Sequence, residues 1–331
     1  MKFKQTLIVF VAICLPIISV ADCYTSLRQK AIEAYNRGEY DRAKSTFQSA
    51  KEDCPDTPSN NDIDSWIQKC NSAKSRTRTF KANGQQFNMI FVEGGTFIMG
   101  ATQGQTQSKM SLPVHEVELT SYYIAEKEVT QALWYAIMGT TLRDLRTLNC
   151  GNDYADKDDN KPNQPMTYMS WPECQEFCRR LNAILSDQLE GWSFAIPTEA
   201  QWEYAARGGK YSRNYKYSGS NNISEVGWTN LSISSDHIRA VGQKKANELG
   251  IYDMSGNASE WCYDWWLDHY PSAARSFNPT GPISGNGHVT RGGAWFQYQA
   301  GEVSSRSWEY DYQGKPARSS WVGLRLALVK K

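Results

Sequence analysis

The chain has 331 residues, with 36 basic and 35 acidic side chains and a net charge of +1, a length that suits about two domains. That balance gives no electrostatic argument for nucleic acid or an anionic membrane as partner. Twelve Trp and eighteen Tyr are a heavy aromatic load, available both to a core and to a binding face.

Residues 1–21 read as a signal peptide, because Lys2 and Lys4 precede an apolar run from Leu7 to Val20 that ends at the small residues Ser19 and Ala21. The run is shorter than the ~20 residues of a spanning helix. Neither Cys14 nor Cys23 follows the small residue that a lipoprotein signal wants. The expectation is an exported protein, periplasmic or extracellular, that starts at Asp22 and has no membrane span after signal removal. Export puts the seven cysteines left after Cys14 (eight less one) in an oxidising compartment, where pairing is expected. Cys54 and Cys70 lie in a small segment that needs a staple, and Cys23 is a competing partner for either. Cys174 and Cys178 share one helix face, which suits one buried thiol and one half of a long-range disulfide better than zinc.

Residues 22–73 read as a small helical module. Ala31, Ala34 and Tyr35, then Tyr40, Ala43, Phe47 and Ala50, stand at helical spacing on either side of a turn at Gly38. The pattern resembles one tetratricopeptide unit. A third helix is expected after Asn60-Asn61-Asp62, with Ile63, Trp66 and Ile67 on one face. A single repeat cannot close a solenoid core, so the module must be stapled, docked or bound to a partner. Residues 74–86 read as the linker to a domain over 87–331.

In that domain, Met89–Val92, Thr96–Met99, Val114–Leu119 and Tyr122–Ile124 have strand character. Thr130–Met138, Pro172–Leu185 and Thr198–Arg207 read as helices. The last opens on a capping box, Thr198 with Gln201. Gly139 to Gln164 reads as a surface loop.

From Phe91–Gly100 onward the chain carries a succession of motifs: Pro113–Val117, Glu128–Gln131, Ser170-Trp171, Pro197–Gly209, Asn247–Trp261, Arg291–Trp295 and Val322–Leu326. Over about residues 87–329 this succession resembles the sulfatase-modifying factor family, founded on formylglycine-generating enzymes. The resemblance implies an α+β, modified C-type-lectin-like fold with little regular structure. It also implies a test of activity, because family enzymes oxidise a sulfatase cysteine with two copper-binding cysteines five residues apart. Those positions fall here on Gln297 and Glu302. The motif serine is Ala294, and a family Trp is Ser259. An amide and a carboxylate cannot replace thiolates as ligands for copper(I), so copper is not expected. The four histidines, His115, His237, His269 and His288, show no paired spacing for an iron site either.

The same resemblance implies calcium, with the carboxylates of Asp253 and Glu260 and the carbonyls of Gly256 and Ala258 as ligands, a hard-oxygen set. Around the altered thiol positions, Tyr298, Glu302, Arg306, Trp308 and Tyr310 interleave rings with charges, the composition of a binding face. Tyr298, Glu302, Trp308 and Tyr310 are expected to be accessible. The functional expectation is a non-catalytic, calcium-stabilised binding or scaffold module that meets a protein or glycan of the bacterial envelope. The alternative is an enzyme of the family that oxidises peptidyl-cysteine, which the residues at 297 and 302 disfavour.

Overall fold

The computed structural model describes residues 20–36, 40–54, 57–59, 61–150, 161–230, 238–271, 275–297, 301–311 and 315–331. The expected signal peptide lies almost wholly outside them, as do Tyr298 and His237. Among the described residues no helix is long and apolar enough to cross a membrane. The chain divides into a helical unit, Met1–Tyr35 with Glu39–Asn71, and a larger unit that is chiefly Ser72–Lys331.

The helical unit holds α1 (Val20–Asn36), α2 (Tyr40–Glu52) and most of α3 (Ile63–Ser75). Its core is Ala31, Ala34, Ala43, Phe47, Ala50, Ile63 and Cys70, with Phe47 stacked on Trp66 at 5.3 Å. Small alanines let the helices approach while the aromatic rings fill the remaining space. Cys54 pairs with Cys23 across 31 residues, which resolves the competition between Cys23 and Cys70. A closed loop of that length stabilises a small unit by about 3–4 kcal/mol.

No linker separates α3 from the larger unit's first sheet, contrary to the expectation for 74–86. α3 runs to Ser75, and β1 (Thr77–Ala82) and β2 (Gln85–Val92) follow as a hairpin. Its two-residue turn is Asn83-Gly84, with φ of 45° and 85°, the left-handed pair a tight hairpin demands.

The order continues with β3 (Gly95–Met99), β4 (His115–Leu119), β5 (Tyr122–Ala125), α4 (Gln131–Met138), α5 (Leu142–Cys150), α6 (Trp171–Ile184), β6 (Trp192–Ala195), α7 (Glu199–Ala206) and α8 (Ile223–Val226). Then come β7 (Ser259–Trp265), β8 (Arg275–Phe277), β9 (Gly287–Arg291), β10 (Arg306–Tyr310), β11 (Val322–Gly323) and β12 (Ala327–Lys330). α5 corrects the reading of 139–164 as a loop; Asp144 accepts from the Thr141 amide at 2.7 Å to start that helix. Three short sheets form, ordered β1-β2-β5-β12-β6, β10-β9-β7-β11 and β3-β4-β8. The architecture is α+β, as expected.

The predicted cap of α7 is in place, and a second, not foreseen from the sequence, opens α6. Thr198 and Gln201 exchange side-chain and backbone bonds at 3.0 and 3.2 Å, and the Glu173 carboxylate accepts from the Ser170 amide at 2.9 Å. One core packs α4 and α6 on the five-stranded sheet through Trp134, Phe177, Leu181 and Phe194. A second joins α7 to all three sheets through Trp202, Val117, Ile124 and Val289. Cys174 and Cys178 are both buried free thiols, which corrects the expectation that one of them forms a long-range disulfide. Burial pushes the Cys178 thiol up to about 12 and Cys174 well above its usual range.

Candidate functional site

β9 ends in Arg291, and the chain then turns through Gly292 and Gly293 with φ of 91° and 68°. A side chain at Gly292 would meet the Trp202 ring at 3.2 Å, so glycine is needed for close approach as well as for the left-handed turn. Arg291, 1% exposed, reaches across the returning chain. Its Nη1 donates to the Ser304 and Ser305 carbonyls at 3.1 and 2.9 Å, and its Nη2 to the Val303 carbonyl at 3.0 Å and to the Glu203 carboxylate. Glu203 also takes the Gly100 amide and Arg207 Nε. One helical turn away on α7, Glu199 receives a bidentate fork from Arg306 at 2.7 and 2.9 Å and a bond from the Tyr270 hydroxyl at 3.2 Å. Two buried carboxylates on α7 and three guanidiniums therefore fix both stems of the 292–306 segment.

That framework settles where the anticipated residues lie. Ala294 is buried, and its amide donates to Gln297 Oε1 at 3.0 Å. Glu302 is 3% exposed, which corrects its placement on an accessible surface. Its carboxylate accepts from the Thr106 amide and hydroxyl, both at 2.7 Å, and pairs with Lys216 at 3.0 Å. Burial of this charge is tolerated because both oxygens are satisfied. Arg306 is also beneath the surface, at 8% exposure, a second correction. Its guanidinium lies between the Trp266 and Tyr270 rings at 4.4 and 4.3 Å.

Trp308 and Tyr310 are exposed, as expected, at 38% and 56%. They sit on β10, the edge strand of its sheet, and share a face with Arg306 by the period-two alternation of a strand. Trp308 stacks on Trp266 at 4.4 Å, and His115 lies 4.7 Å from Tyr270. Trp308, Trp266, Arg306, Tyr270 and His115 thus form one continuous ladder of rings and a cation. Beside the opposite face, Trp321 donates to Glu309 at 3.1 Å and holds Phe296 at 5.2 Å.

Between Gln297 and the Arg306 stem is a cleft of about 330 Å³. Its walls include Thr106, Ser108, Ser111, Thr290, Ser305 and Ser307, and neither cysteine nor histidine lines it. Cys262 is buried on β7, and burial with the nearby Glu199 and Asp264 raises its thiol well above the usual range. None of these groups supplies a thiolate nucleophile at neutral pH.

A profile described as "Sulfatase-modifying factor enzyme 1-like domain" matches residues 74–330. The chain belongs to this family. It is 29% identical over 273 residues to the chaperone protein LppX of Paenibacillus barcinonensis, covering 69% of this chain and 83% of the relative. It is 25% identical over 256 residues to the formylglycine-generating enzyme of Streptomyces coelicolor, covering 62% of this chain and 78% of that enzyme. Among solved structures it is similar to Treponema denticola variable protein 1, with a TM-score of 0.64 and 27% identity over 77% of this chain and 99% of that one. The fold is the lectin-like one of the sulfatase-modifying factor family.

Within this family frame, the expected calcium ligands can be tested for fit. Asp253 is buried; Oδ2 accepts from the Gly242 amide at 2.6 Å, while Oδ1 has no partner. Burial raises its carboxyl to about 6. Glu260, in contrast, spends both oxygens on Arg325, at 2.6 to 3.0 Å, and on Trp202 Nε1 at 2.6 Å. Glu128 caps the same turn, accepting from Asn257 Nδ2 at 2.7 Å and the Ala258 amide at 3.0 Å. Among the described residues no group of three or more His, Cys, Asp or Glu converges to hold a metal. Asp253 alone fits a cation; the four-residue set does not, because Arg325 already serves Glu260. Glu128 and Arg325, which tie this turn together, fall in the Glu128–Gln131 and Val322–Leu326 motifs, but nothing local gives them this role; Glu128 lies 130 residues from the amide it caps. Ser259 is buried, and its amide bonds the Trp321 carbonyl at 2.8 Å.

Proposed function

We propose that this protein is a non-catalytic binding module of the sulfatase-modifying factor family, exported and acting on a protein or glycan of the bacterial envelope. The observation that carries the reading is the pair Gln297 and Glu302. One folds back on the Ala294 amide, and the other is locked by Thr106 and Lys216, so the positions that bind copper in family enzymes are spent on holding a loop. What faces solvent is an edge strand with Trp308 and Tyr310, large rigid rings suited to contact at low entropic cost. A relative named as a chaperone, covered over 83% of its length, supports protein binding. The helical unit, whose sequence resembles one tetratricopeptide unit with a third helix, is proposed as a second contact surface.

Two measurements test this reading. The mature protein, loaded with copper(I) and given a sulfatase peptide with its target cysteine, is expected to form no aldehyde. Copper-dependent aldehyde would overturn the non-catalytic assignment. Envelope extract passed over immobilised wild type should leave bound material that Trp308→Ala and Tyr310→Ala fail to retain; equal retention by all three would remove β10 from the contact.

A further inference from the structure

A second cavity, of about 340 Å³, shares Arg306 with the cleft just described and is within the ~300–1,000 Å³ range of small-ligand sites. Its walls are mostly apolar: Met99, Leu267, Pro271, Pro279 and Pro282, with Ala200 of α7. One polar group in this lining lacks the partner that burial normally demands, and one carboxylate lacks a counter-ion. Asp264, 5% exposed, accepts at Oδ2 from the Glu199 amide at 2.8 Å, and among the described residues no side chain forms an ion pair with it. Ser276 Oγ is buried with no hydrogen-bond partner. Arg306, also in the lining, is already forked onto Glu199. The net charge of the cavity wall is therefore that of one carboxylate.

We propose that this cavity binds an organic ammonium ion, with Asp264 as its counter-ion, Ser276 Oγ as a further acceptor and the proline-rich wall against its alkyl body. An ammonium supplies a counter-charge for Asp264 and a donor for Ser276 Oγ, and an alkyl chain suits a wall that a metal ion or a sugar would leave undersatisfied. The source is either a free alkylamine or a lysine side chain of a partner protein. The cavity shares Arg306 with β10, but the ammonium contacts Asp264 and Ser276 rather than Trp308 or Tyr310, so its test is distinct from that of the function proposed above.

Burial, and then Glu199, raise the empty Asp264 carboxyl to about 7, and Arg306 opposes them. Tyr270 and His115 are the other titratable groups at the cavity. A bound ammonium favours the ionised carboxylate, so affinity should rise with pH through 7 and level off above it.

Calorimetric titration of the full chain with n-hexylammonium, with Nα-acetyl-lysine amide and with 1-hexanol tests the proposal. Both amines should bind at pH 8, and hexanol at least tenfold more weakly. Asp264→Asn should weaken the amines at least tenfold while unfolding cooperatively. Thr280→Phe, at the exposed rim, should weaken them with Asp264 intact. Tighter binding of the lysine derivative identifies a partner's side chain as the source; tighter binding of hexylammonium identifies a free amine. Equal binding of amine and alcohol, or unchanged affinity in Asp264→Asn, overturns the proposal.

Discussion

Arg325 and Glu260, both 0% exposed, are joined by a fork in which Arg325 Nε and Nη2 reach both carboxylate oxygens. The same guanidinium donates to the Ala125 and Tyr252 carbonyls at 2.8 Å and offsets the charge of Glu128 and Asp253. Removing one partner of such a buried pair leaves uncompensated charge, which costs about 3–5 kcal/mol. Arg325→Ala should lower stability by that amount in denaturant unfolding.

The same pair predicts the response to chelation. With Arg325 already serving Glu260, excess EGTA should leave the Tm of wild type unchanged. A fall in Tm that added calcium reverses would show an ion bound near Asp253 and restore calcium as a stabiliser.

Two buried groups give stability opposite pH slopes. Asp264 is raised to about 7, so its contribution is complete below its ordinary value of ~3.9 and is lost as pH rises through 7. His288, stacked between Trp171 and Trp265 at 3.7 and 3.8 Å, is lowered to about 4 by burial. Its contribution is complete above the ordinary ~6.5 and is lost as pH falls toward 4. Asp264→Asn should therefore exceed wild type in stability at pH 8, by an amount on the order of a few kcal/mol, and lose that advantage near pH 4. Paired melting curves across pH check the slope.

The Cys23–Cys54 bridge closes the helical unit. Cys54→Ser, or reductant, should lower the stability of that unit by about 3 kcal/mol. Circular dichroism of its unfolding, with and without reductant, measures this.

Gly84 has φ of 85° and open space around its missing Cβ. Gly84→Ala should therefore cost only the strain of a left-handed alanine, about 1 kcal/mol, measurable as a small fall in Tm.

The local rules of the chain were legible where the partners are close in sequence. Thr198 with Gln201 marked α7, and the alternation through Met89–Val92 and Thr96–Met99 marked β2 and β3. Asn83-Gly84 was an equally plain hairpin signal, but the basic, polar residues before it read as linker and concealed β1. α5 was missed because its polar sequence resembles a loop and its start depends on Asp144 and Thr141. Glu302 and Arg306 read as surface charges because the groups that bury them, Thr106 and Glu199, are 196 and 107 residues away. The altered thiol positions, in contrast, needed only residue identity to be seen.

The ladder from Trp308 through Trp266, Arg306 and Tyr270 to His115 gives the molecule a built-in optical reporter. Indole rings 4.4 Å apart and nearly parallel couple electronically, so their near-ultraviolet circular dichroism depends on their mutual tilt. A partner bound at the exposed face of Trp308 would meet one end of the ladder, and a ligand in the cavity beside Tyr270 would meet the other. One unlabelled spectrum would then report on both proposed sites, and the difference between Trp308→Phe and wild type isolates the signal of the stacked pair.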